Sequence, residues 1–348
     1  MRSGYFKRDF SELVSLTDSN AVKAWVVVLA IGLVGLPWVA NAYLLSHVTV
    51  ILFTLVAVLG LNVLTGFTGL ISLGHVAFLM LGAYGYAIAV SRFGWHPLCA
   101  FLPAGLVPAV AGLVVCVPSL RLKGLYLAIT TLAFSFIVSA VILAGGKFTG
   151  ASRGINVERP SVFGVSLNDD KALYGLCLAV AVLTLLVVLN IRRTRLGRAF
   201  VAIRDNDIAA RAMGINLWRY KLLAFVISAF ITGIGGALMA IYINFVTVEG
   251  FPFLLSIEAL AIIVVGGLGS VLGTVFGTIF IVTLPELVGT LFGLLGGRYA
   301  EVLTTSAHEI KSMLYGLAII AFLRFDSRGL LGMWHDLRHR WIHWPLRY

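Results

Sequence analysis

The chain has 348 residues, of which 60% are hydrophobic and only 12% are charged, whereas a soluble domain usually has about 45–50% apolar and about 25% charged residues. Such a chain cannot cover itself with polar surface in water and needs lipid as part of its solvent, which excludes a soluble enzyme, a secreted disulfide scaffold and a disordered polypeptide. Its 26 basic and 15 acidic residues give a net charge of +11, which we attribute to contact with anionic lipid headgroups and the cytoplasmic membrane surface, not with nucleic acid.

Apolar runs of about 20 residues, the length that crosses a bilayer as a helix, divide the chain. The runs that predict one span each are 22–40, 47–65, 72–91, 98–118, 124–144, 172–190, 222–245 and 305–323. The tract 256–295 would be about 60 Å long as a single helix at about 1.5 Å per residue, so it must cross twice. We therefore predict an all-α polytopic membrane protein with about ten transmembrane helices.

Basic residues are concentrated between the sixth and seventh spans, in segment 192–221. They are Arg192, Arg193, Arg195, Arg198, Arg204, Arg211, Arg219 and Lys221. Only Asp205 and Asp207 oppose them, and the positive-inside rule places such a segment in the cytoplasm. Counting spans outward from this segment puts both termini in the cytoplasm. The resulting regions are a cytoplasmic segment at 1–21, a transmembrane domain at 22–323 with an extracytoplasmic loop at 145–171, and a basic cytoplasmic tail at 324–348.

Many of the 37 glycines lie in two clusters within apolar spans. The first cluster comprises Gly66, Gly69, Gly74, Gly82 and Gly85, and the second comprises Gly266, Gly267, Gly269, Gly273 and Gly277. Glycine lets helices approach closely and permits a helix to break, and broken backbone survives at membrane depth only inside protein or beside a wet cavity. Gly-broken helices in two halves of a chain indicate a translocation pathway between structural repeats. The alternative is that these spans are simply well packed.

Polar residues surround both clusters, and each needs a partner or a wet cavity at membrane depth. The predicted pathway residues are Asn62, Gly69, Ser72, Gly74 and His75 from the first cluster, and Ser256, Glu258, Gly267, Gly269 and Ser270 from the second. We expect these groups to line or gate the path of a small zwitterionic or polar solute. Alternatives remain open: His75 can form a structural hydrogen bond to a neighbouring helix, Glu258 can be an interfacial carboxylate, and Glu286 can satisfy backbone opened by Pro285.

The basic segment 192–221 is too polar to span a membrane, yet its alanines and aliphatic residues favour helix. Gly214 is a plausible helix stop, and Asp205, Asn206 or Asp207 could start a short second helix. A short helix held at the cytoplasmic face is either a docking surface for a soluble partner or a basic interfacial helix that only fixes the topology. Composition leaves both interpretations open.

The sequence contains no pattern typical of catalysis or metal binding. It has neither the G-x-x-x-x-G-K-[ST] loop that holds ATP phosphates nor the H-E-x-x-H pattern of zinc enzymes. Cys99, Cys116 and Cys177 lie in apolar stretches without paired spacing and are interpreted as buried hydrophobic residues. We therefore expect no enzyme activity, cofactor or metal on this chain, and energy would come from another subunit or from an ion gradient.

Several blocks of sequence resemble the permease subunits of branched-chain amino-acid ABC importers of the LivH and LivM type, and LivM most closely. The blocks are LNVLTGFTGLISLGHVAFLMLGAY, GLYLAITTLAF, TGASRGI, RTRLGRAFVAIRDNDIAARAMGINLWRYKLLAF, SIEALAIIVVGGLGSVLGTVFG and FDSRGLLGMW. They follow the order of the family and fall within residues 45–334.

This resemblance implies a heteromeric ABC importer in a bacterial inner membrane. The expected partners are a second, LivH-like permease, two cytoplasmic LivG/LivF-like ATPases that hold ATP and Mg²⁺, and an extracytoplasmic solute-binding protein. The expected substrates are branched-chain or other hydrophobic amino acids. Import of urea, amides or aromatic acids by the same architecture remains an alternative. A gradient-driven secondary transporter is another, for which Glu258 and Glu286 are the candidate carboxylates.

The resemblance also sharpens the hypothesis of a docking surface. The cytoplasmic coupling loop of ABC importer permeases has the pattern Glu-Ala-Ala-x-x-x-Gly, which Ala209, Ala210 and Gly214 match while Ile208 occupies the acidic position. Two aspartates lie within one turn of this match. The residues expected to couple the chain to the ATPase are Arg204, Asp205, Asp207, Ala209, Ala210 and Gly214.

Overall fold

The computed structural model describes residues 20–119, 122, 124–157, 161–162, 165–166, 169–295, 307–325 and 329–334. Most of the predicted N-terminal segment 1–21 and of the tail 324–348, and part of the loop 145–171, lie outside these residues. Helices dominate the described part of the chain.

The long helices follow the apolar runs of the sequence closely. The helices are α1 (Asn20–Val39), α2 (Ala42–Leu61), α3 (His75–Ser91), α4 (Pro97–Ser119), α5 (Leu125–Ala144), α6 (Asp170–Arg193), α7 (Arg195–Asp205), α8 (Asp207–Ala212), α9 (Leu217–Ile243), α10 (Leu254–Gly266), α11 (Val271–Leu295) and α12 (Ala307–Phe325). A last short helix covers 329–334. Seven helical segments of the described chain are long and apolar enough to cross a membrane, and three shorter apolar helices accompany them. The protein is therefore an all-α multi-pass membrane protein.

Short strands connect the helices at one end of the bundle. β1 (Ile155–Asn156) pairs antiparallel with β4 (Phe245–Val246), with Ile155 opposite Val246. The strands β2 (Ser161–Val162) and β3 (Val165–Ser166) form a separate hairpin. The β1–β4 pairing joins the loop after α5 to the end of α9, so both lie at the same face of the molecule.

Helix α9 lies at the centre and packs against α2, α3 and α4. Glycines make these contacts close: a Cβ added to Gly82 of α3 would lie 2.2 Å from the carbonyl oxygen of Gly233 in α9, and one on Gly60 of α2 would lie 2.3 Å from Oγ1 of Thr232. Lipid tails provide little hydrophobic drive for helix association, so such small-residue contacts are what bring membrane helices together. Part of the first glycine cluster therefore serves packing.

Both glycine clusters also contain a break in the helical backbone. Helix α2 passes into a π-helical turn at Asn62–Phe67, and residues 69–74 are not helical before α3 begins. Gly69 has φ +72°, while Gly267 and Gly269, between α10 and α11, have φ +114° and +76°. Residues with a side chain rarely adopt such positive φ angles, which is why glycine occupies these positions. The expected double crossing within 256–295 is therefore α10, a break, and α11.

The basic segment forms the two predicted helices, α7 and α8. Asn206 separates them and caps α8, because its Oδ1 accepts hydrogen bonds from the amides of Ile208 (3.0 Å) and Ala209 (3.1 Å). Gly214 has φ +83° and follows the end of α8. The predicted helix stop is confirmed, and Asn206 is the cap among the three candidates.

Candidate functional site

Arg204, in the last turn of α7, connects the basic segment to the glycine breaks. Its Nη1 donates a hydrogen bond to the carbonyl oxygen of Gly66 in the π-helical turn, at 2.9 Å. Its side chain also covers both breaks: a Cβ on Gly69 would lie 3.0 Å from Cγ of Arg204, and one on Gly269 would lie 2.5 Å from Nη1. Nε and Nη2 both face Oδ1 of Asp205 at 3.3 Å. The guanidinium therefore sits where the two glycine clusters meet.

Asn62 joins the same two breaks through hydrogen bonds of its buried side chain. Its Oδ1 accepts a hydrogen bond from the amide of Gly269 (3.2 Å), and its Nδ2 donates to the carbonyl oxygen of Ser270 (3.3 Å). The side chain is fully buried. Ser270 in turn caps α11, because its Oγ accepts from the amide of Gly273 at 3.0 Å. These contacts satisfy backbone groups that the helix breaks release, which is what permits the breaks at membrane depth.

The other predicted residues of this junction also hold backbone in place. Oγ of Ser256 accepts from the amide of Val76 in the first turn of α3, at 3.0 Å. A Cβ on Gly74 would lie 1.7 Å from the carbonyl oxygen of Thr131, whose hydroxyl binds the amide of Leu73 at 3.0 Å. Each contact joins the start of α3 to a neighbouring helix.

Two further groups complete this junction. The buried Oγ of Ser72 has no hydrogen-bond partner among the described residues. Gly329, at the start of the helix 329–334, approaches the break after α10, because a Cβ there would lie 2.7 Å from the amide nitrogen of Gly267. The junction therefore consists of closely packed chain segments around the two glycine breaks.

His75 makes the structural hydrogen bond that the sequence left as an alternative. Its Nε2 lies 2.7 Å from Oγ1 of Thr232 and 3.1 Å from the carbonyl oxygen of Ala57, so the ring joins α3 to α9 and α2. The Thr232 hydroxyl also lies 2.8 Å from the carbonyl oxygen of Ser228 in its own helix. His75 is nevertheless one of the residues that line a cavity above the junction.

This cavity has a volume of about 700 Å³ and lies between α2, α3, α9, α10, α11 and α12. Its polar lining residues are Tyr43, Ser46, His47, Thr54, His75, Tyr242, Glu258, Glu286 and Tyr315, and most of its other walls are aliphatic or aromatic. It is bounded by the first turns of α2 and the last turn of α9, next to the β1–β4 pairing. The cavity therefore lies toward the end of the bundle opposite Arg204.

Two carboxylates face this cavity from different helices. Oε1 of Glu286, in α11, lies 2.9 Å from Nδ1 of His47 in α2, and the Glu286 side chain is also hydrogen-bonded to Tyr43. Nε2 of His47 lies 3.1 Å from Oγ1 of Thr283. Glu258, in α10, is hydrogen-bonded to Tyr315 of α12. Both acidic side chains are thus held by groups on a second helix.

The structure changes the sequence-based picture of the polar residues. Of the ten predicted pathway residues, His75 and Glu258 line the cavity, while the other eight belong to the junction of glycine breaks. The carboxylate of Glu286 binds His47 across the helix pair, and among the described residues it makes no hydrogen bond to backbone near Pro285. Tyr43 and His47 were missed, although their i, i+4 spacing at the start of an apolar span was a usable signal.

The segment predicted to couple to an ATPase is anchored on one helix and exposed on the next. In α7, Phe200 is buried and its ring lies edge-on to Tyr220 at a centroid distance of 6.4 Å. In α8, Ala210 is buried, Ala209 is exposed and Asp207 is half-buried, and Gly214 after the helix is exposed. Large apolar side chains beside them point outward: Ile208 is 75% exposed and Met213 is 84% exposed. Exposed apolar groups among arginines are typical of a contact surface for another protein.

The fold and the cavity define the class of this molecule as a multi-pass membrane protein with a mostly apolar cavity that holds two carboxylates inside its helix bundle. A family model described as "Branched-chain amino acid transport system / permease component" matches residues 43–323. The chain belongs to this family of permease components, as its sequence blocks led us to expect.

Relatives in three organisms support the assignment. The chain is 34% identical over 300 residues to the high-affinity branched-chain amino acid transport system permease protein LivM of Escherichia coli (strain K12), covering 78% of this chain and 70% of LivM. It is 26% identical to the permease protein BraD of Pseudomonas aeruginosa, covering 80% of this chain and 91% of BraD. It is also 26% identical to a probable permease protein LivH of Methanocaldococcus jannaschii, covering 80% of this chain and 89% of that protein.

Proposed function

We propose that this chain is the translocating permease subunit of an ATP-driven importer that carries branched-chain or other hydrophobic amino acids. Its membership of the permease family and its similarity to LivM support this substrate class. The partners would be a second permease of the LivH type, two cytoplasmic ATPases of the LivG and LivF type, and an extracytoplasmic solute-binding protein. ATP and Mg²⁺ would be held by the ATPases and not by this chain.

The proposed topology has ten spans in a bacterial inner membrane. The seven long apolar segments and the three shorter apolar helices, which belong to α1, α3 and α12, make up this number. The basic residues of α6, α7 and α8 support a cytoplasmic location for that end of the bundle, by the positive-inside rule. Both termini then face the cytoplasm, and the cavity with its β1–β4 rim faces the exterior, where a binding protein would deliver the solute.

The observation that carries the proposal is the hydrogen bond from Arg204 to Gly66. The exposed residues of α8 would dock on the ATPase, and α7 would pass the motion of that ATPase to Arg204. Arg204 touches the breaks that join α2 to α3 and α10 to α11. Because these four helices also wall the cavity, a shift of the docking segment would change the cavity.

The test is uptake of labelled leucine into proteoliposomes that contain both permeases and both ATPases, with the binding protein outside and ATP enclosed. Replacing residues 205–214 with a flexible polar linker of equal length should remove the ATPases from the complex or leave hydrolysis without uptake. The control replaces exposed Arg198 with alanine and should retain coupled uptake. Normal coupled uptake by the linker variant would refute docking, and uptake that ignores ATP but requires an ion gradient would refute the ATP-driven class.

A further inference from the structure

We propose that the cavity lined by α2, α3, α9, α10, α11 and α12 is itself a binding site for the transported amino acid. Its two carboxylates, Glu286 and Glu258, would recognise the ammonium group. The inference rests on the proposed function and adds to it a site inside the permease, separate from the binding protein. It also reassigns the solute path from the glycine junction, where sequence patterns placed most of the pathway residues, to the chamber above it.

The size and walls of the cavity suit a small aliphatic solute. A volume of about 700 Å³ falls within the range of about 300–1,000 Å³ that is typical of small-molecule sites. Apolar side chains line most of it, among them Phe53, Leu79, Met239, Leu255 and Val282. Such walls would contact a branched aliphatic side chain and bury it from water, which favours hydrophobic amino acids over small polar solutes such as urea.

The charged lining residues favour a cationic group on the solute. Two carboxylates face the cavity, and none of the described residues that line it is a lysine or an arginine. An ammonium group is attracted to carboxylates and offers three hydrogen-bond donors to them. A solute that carries only a negative charge, such as an aromatic acid, would meet repulsion here. A zwitterion whose ammonium group lies between the two acidic side chains would not.

The position of Glu286 fits it for this role. His47 and Tyr43 hold its side chain from α2, yet the side chain is 39% exposed. A carboxylate has about four acceptor positions, of which these two residues use two. Glu286 therefore has a fixed orientation and free acceptor capacity toward the cavity, which is the arrangement that makes a binding group selective.

Two hydroxyl groups of the lining can bind the carboxylate of the solute. Oγ of Ser46 and the Tyr242 hydroxyl lie 2.7 Å apart. Two hydroxyls bring two hydrogens, and one hydrogen bond between them uses only one, so the other remains available to a bound anion. The site thus offers acceptors for the ammonium group and a donor for the carboxylate group of one zwitterion.

Ligand binding at this position would act on the glycine junction. Glu258 lies on α10 and Glu286 on α11, and these helices meet at the break that contains Gly267 and Gly269. An ammonium group held by both carboxylates would fix the distance between α10 and α11. The break between these two helices is one of the two that Arg204 contacts. Solute binding in the cavity and ATPase docking on the α7–α8 segment would then both act on the break between α10 and α11. Two sites are coupled when both ligands shift the same conformational equilibrium.

The test is equilibrium binding of labelled leucine to the complete importer in lipid nanodiscs, without nucleotide and without the binding protein. Unlabelled leucine and leucinamide, which keep the ammonium group, should compete, whereas 4-methylpentanoate, which keeps only the carboxylate, should not. Glu286→Gln and Glu258→Gln should each weaken leucine binding about tenfold or more, since hydrogen bonds to charged groups are strong. The matched control is Glu309→Gln, which neutralises an exposed carboxylate of α12 outside the cavity.

The competition series uses the unmodified protein, so it remains a valid test of the site even if a variant fails to fold. Equal competition by 4-methylpentanoate and leucine, unchanged binding by both glutamine variants, or no binding at millimolar leucine would each overturn the site. The proposed function is judged separately by ATP-driven uptake in proteoliposomes. Uptake that is coupled to ATP while the competition pattern fails would remove the site and leave the importer assignment intact.

Discussion

The guanidinium of Arg204 donates a hydrogen bond to the carbonyl oxygen of Gly66, a residue 138 positions earlier in the chain. This contact joins the last turn of α7, in the basic segment, to the π-helical turn that ends α2. A Cβ on Gly269 would collide with the same guanidinium. One side chain thus reaches both breaks of the transmembrane helices from the segment that we propose to dock on the ATPase.

Replacement of Arg204 with alanine should uncouple transport from hydrolysis. The exposed residues of α8 remain, so the ATPases should still bind and hydrolyse ATP within about twofold of the normal rate. Leucine uptake per ATP should fall about tenfold or more, since a charge-assisted hydrogen bond is worth about 1.5–3 kcal/mol. Both rates are measured in the same proteoliposomes.

Two further substitutions make the Arg204 measurement specific. Arg204→Lys keeps one donor for the Gly66 carbonyl and should retain an intermediate ratio of uptake to hydrolysis. Arg198→Ala removes an exposed arginine of α7 that donates a hydrogen bond to the carbonyl oxygen of Arg193, and it should leave the ratio unchanged. If Arg204→Ala transports leucine with normal coupling, the guanidinium is not the link.

The exposed apolar residues of α8 and of the turn that follows it should be required for assembly with the ATPases. Ile208 and Met213 are largely exposed, and in the proposed complex they would be covered by an ATPase. Changing both to serine should lower the amount of ATPase that copurifies with the permease about tenfold, while the permease keeps its thermal midpoint. The paired control changes exposed Arg192 and Arg198 to serine and should keep the ATPases bound.

Gly82→Ala should destabilise the helix bundle. The added methyl group would clash with the Gly233 backbone of α9, since the Cβ position lies 2.2 Å from a carbonyl oxygen. Overpacking of this kind costs about 1–3 kcal/mol, so the apparent melting temperature of the purified protein should fall by several degrees. At Gly175 of α6 nothing lies within 4 Å of an added Cβ, and Gly175→Ala should leave the midpoint in place or raise it.

Thr232→Val should show that the bond between Thr232 and His75 is structural. The change removes the hydroxyl that lies 2.7 Å from Nε2 of His75, and hydrogen bonds between membrane helices are worth about 0.6–1.7 kcal/mol. The apparent melting temperature should fall slightly while leucine uptake stays within about twofold. Thr278→Val removes a buried hydroxyl that donates to the carbonyl oxygen of Thr274 in its own helix, and it should change stability less. A large loss of uptake at normal stability would instead assign this pair to transport.

The sequence was sufficient for the features that depend on local pattern. Residue-by-residue hydropathy located the spans, and the length of tract 256–295 required the turn between α10 and α11. The cap at Asn206 and the stop at Gly214 follow from backbone requirements that act within a few residues. Glycine clusters in apolar spans indicated the helix breaks, because few other residues adopt their backbone angles.

The sequence was not sufficient for contacts between distant parts of the chain. Arg204 was expected to couple the chain to the ATPase, and its bond to Gly66 could not be predicted because it depends on how α7 packs against the end of α2. His47 and Thr283, which are 236 residues apart, become neighbours only when α2 packs on α11. Local pattern grouped Asn62, Ser256 and Ser270 with a solute path, and it could not show that each also satisfies backbone groups in the junction. The cavity has no local signature, because six helices from both ends of the sequence form it.

The central claim is that the α7–α8 segment lies in the cytoplasm and is covered by an ATPase. The direct measurement is labelling of Ile208→Cys, in a protein whose three native cysteines have been replaced, with a maleimide that cannot cross membranes. The account predicts no labelling in intact cells, labelling in inside-out vesicles stripped of the ATPases, and protection when purified ATPases are added back. Labelling in intact cells, or equal labelling with and without the ATPases, would contradict it.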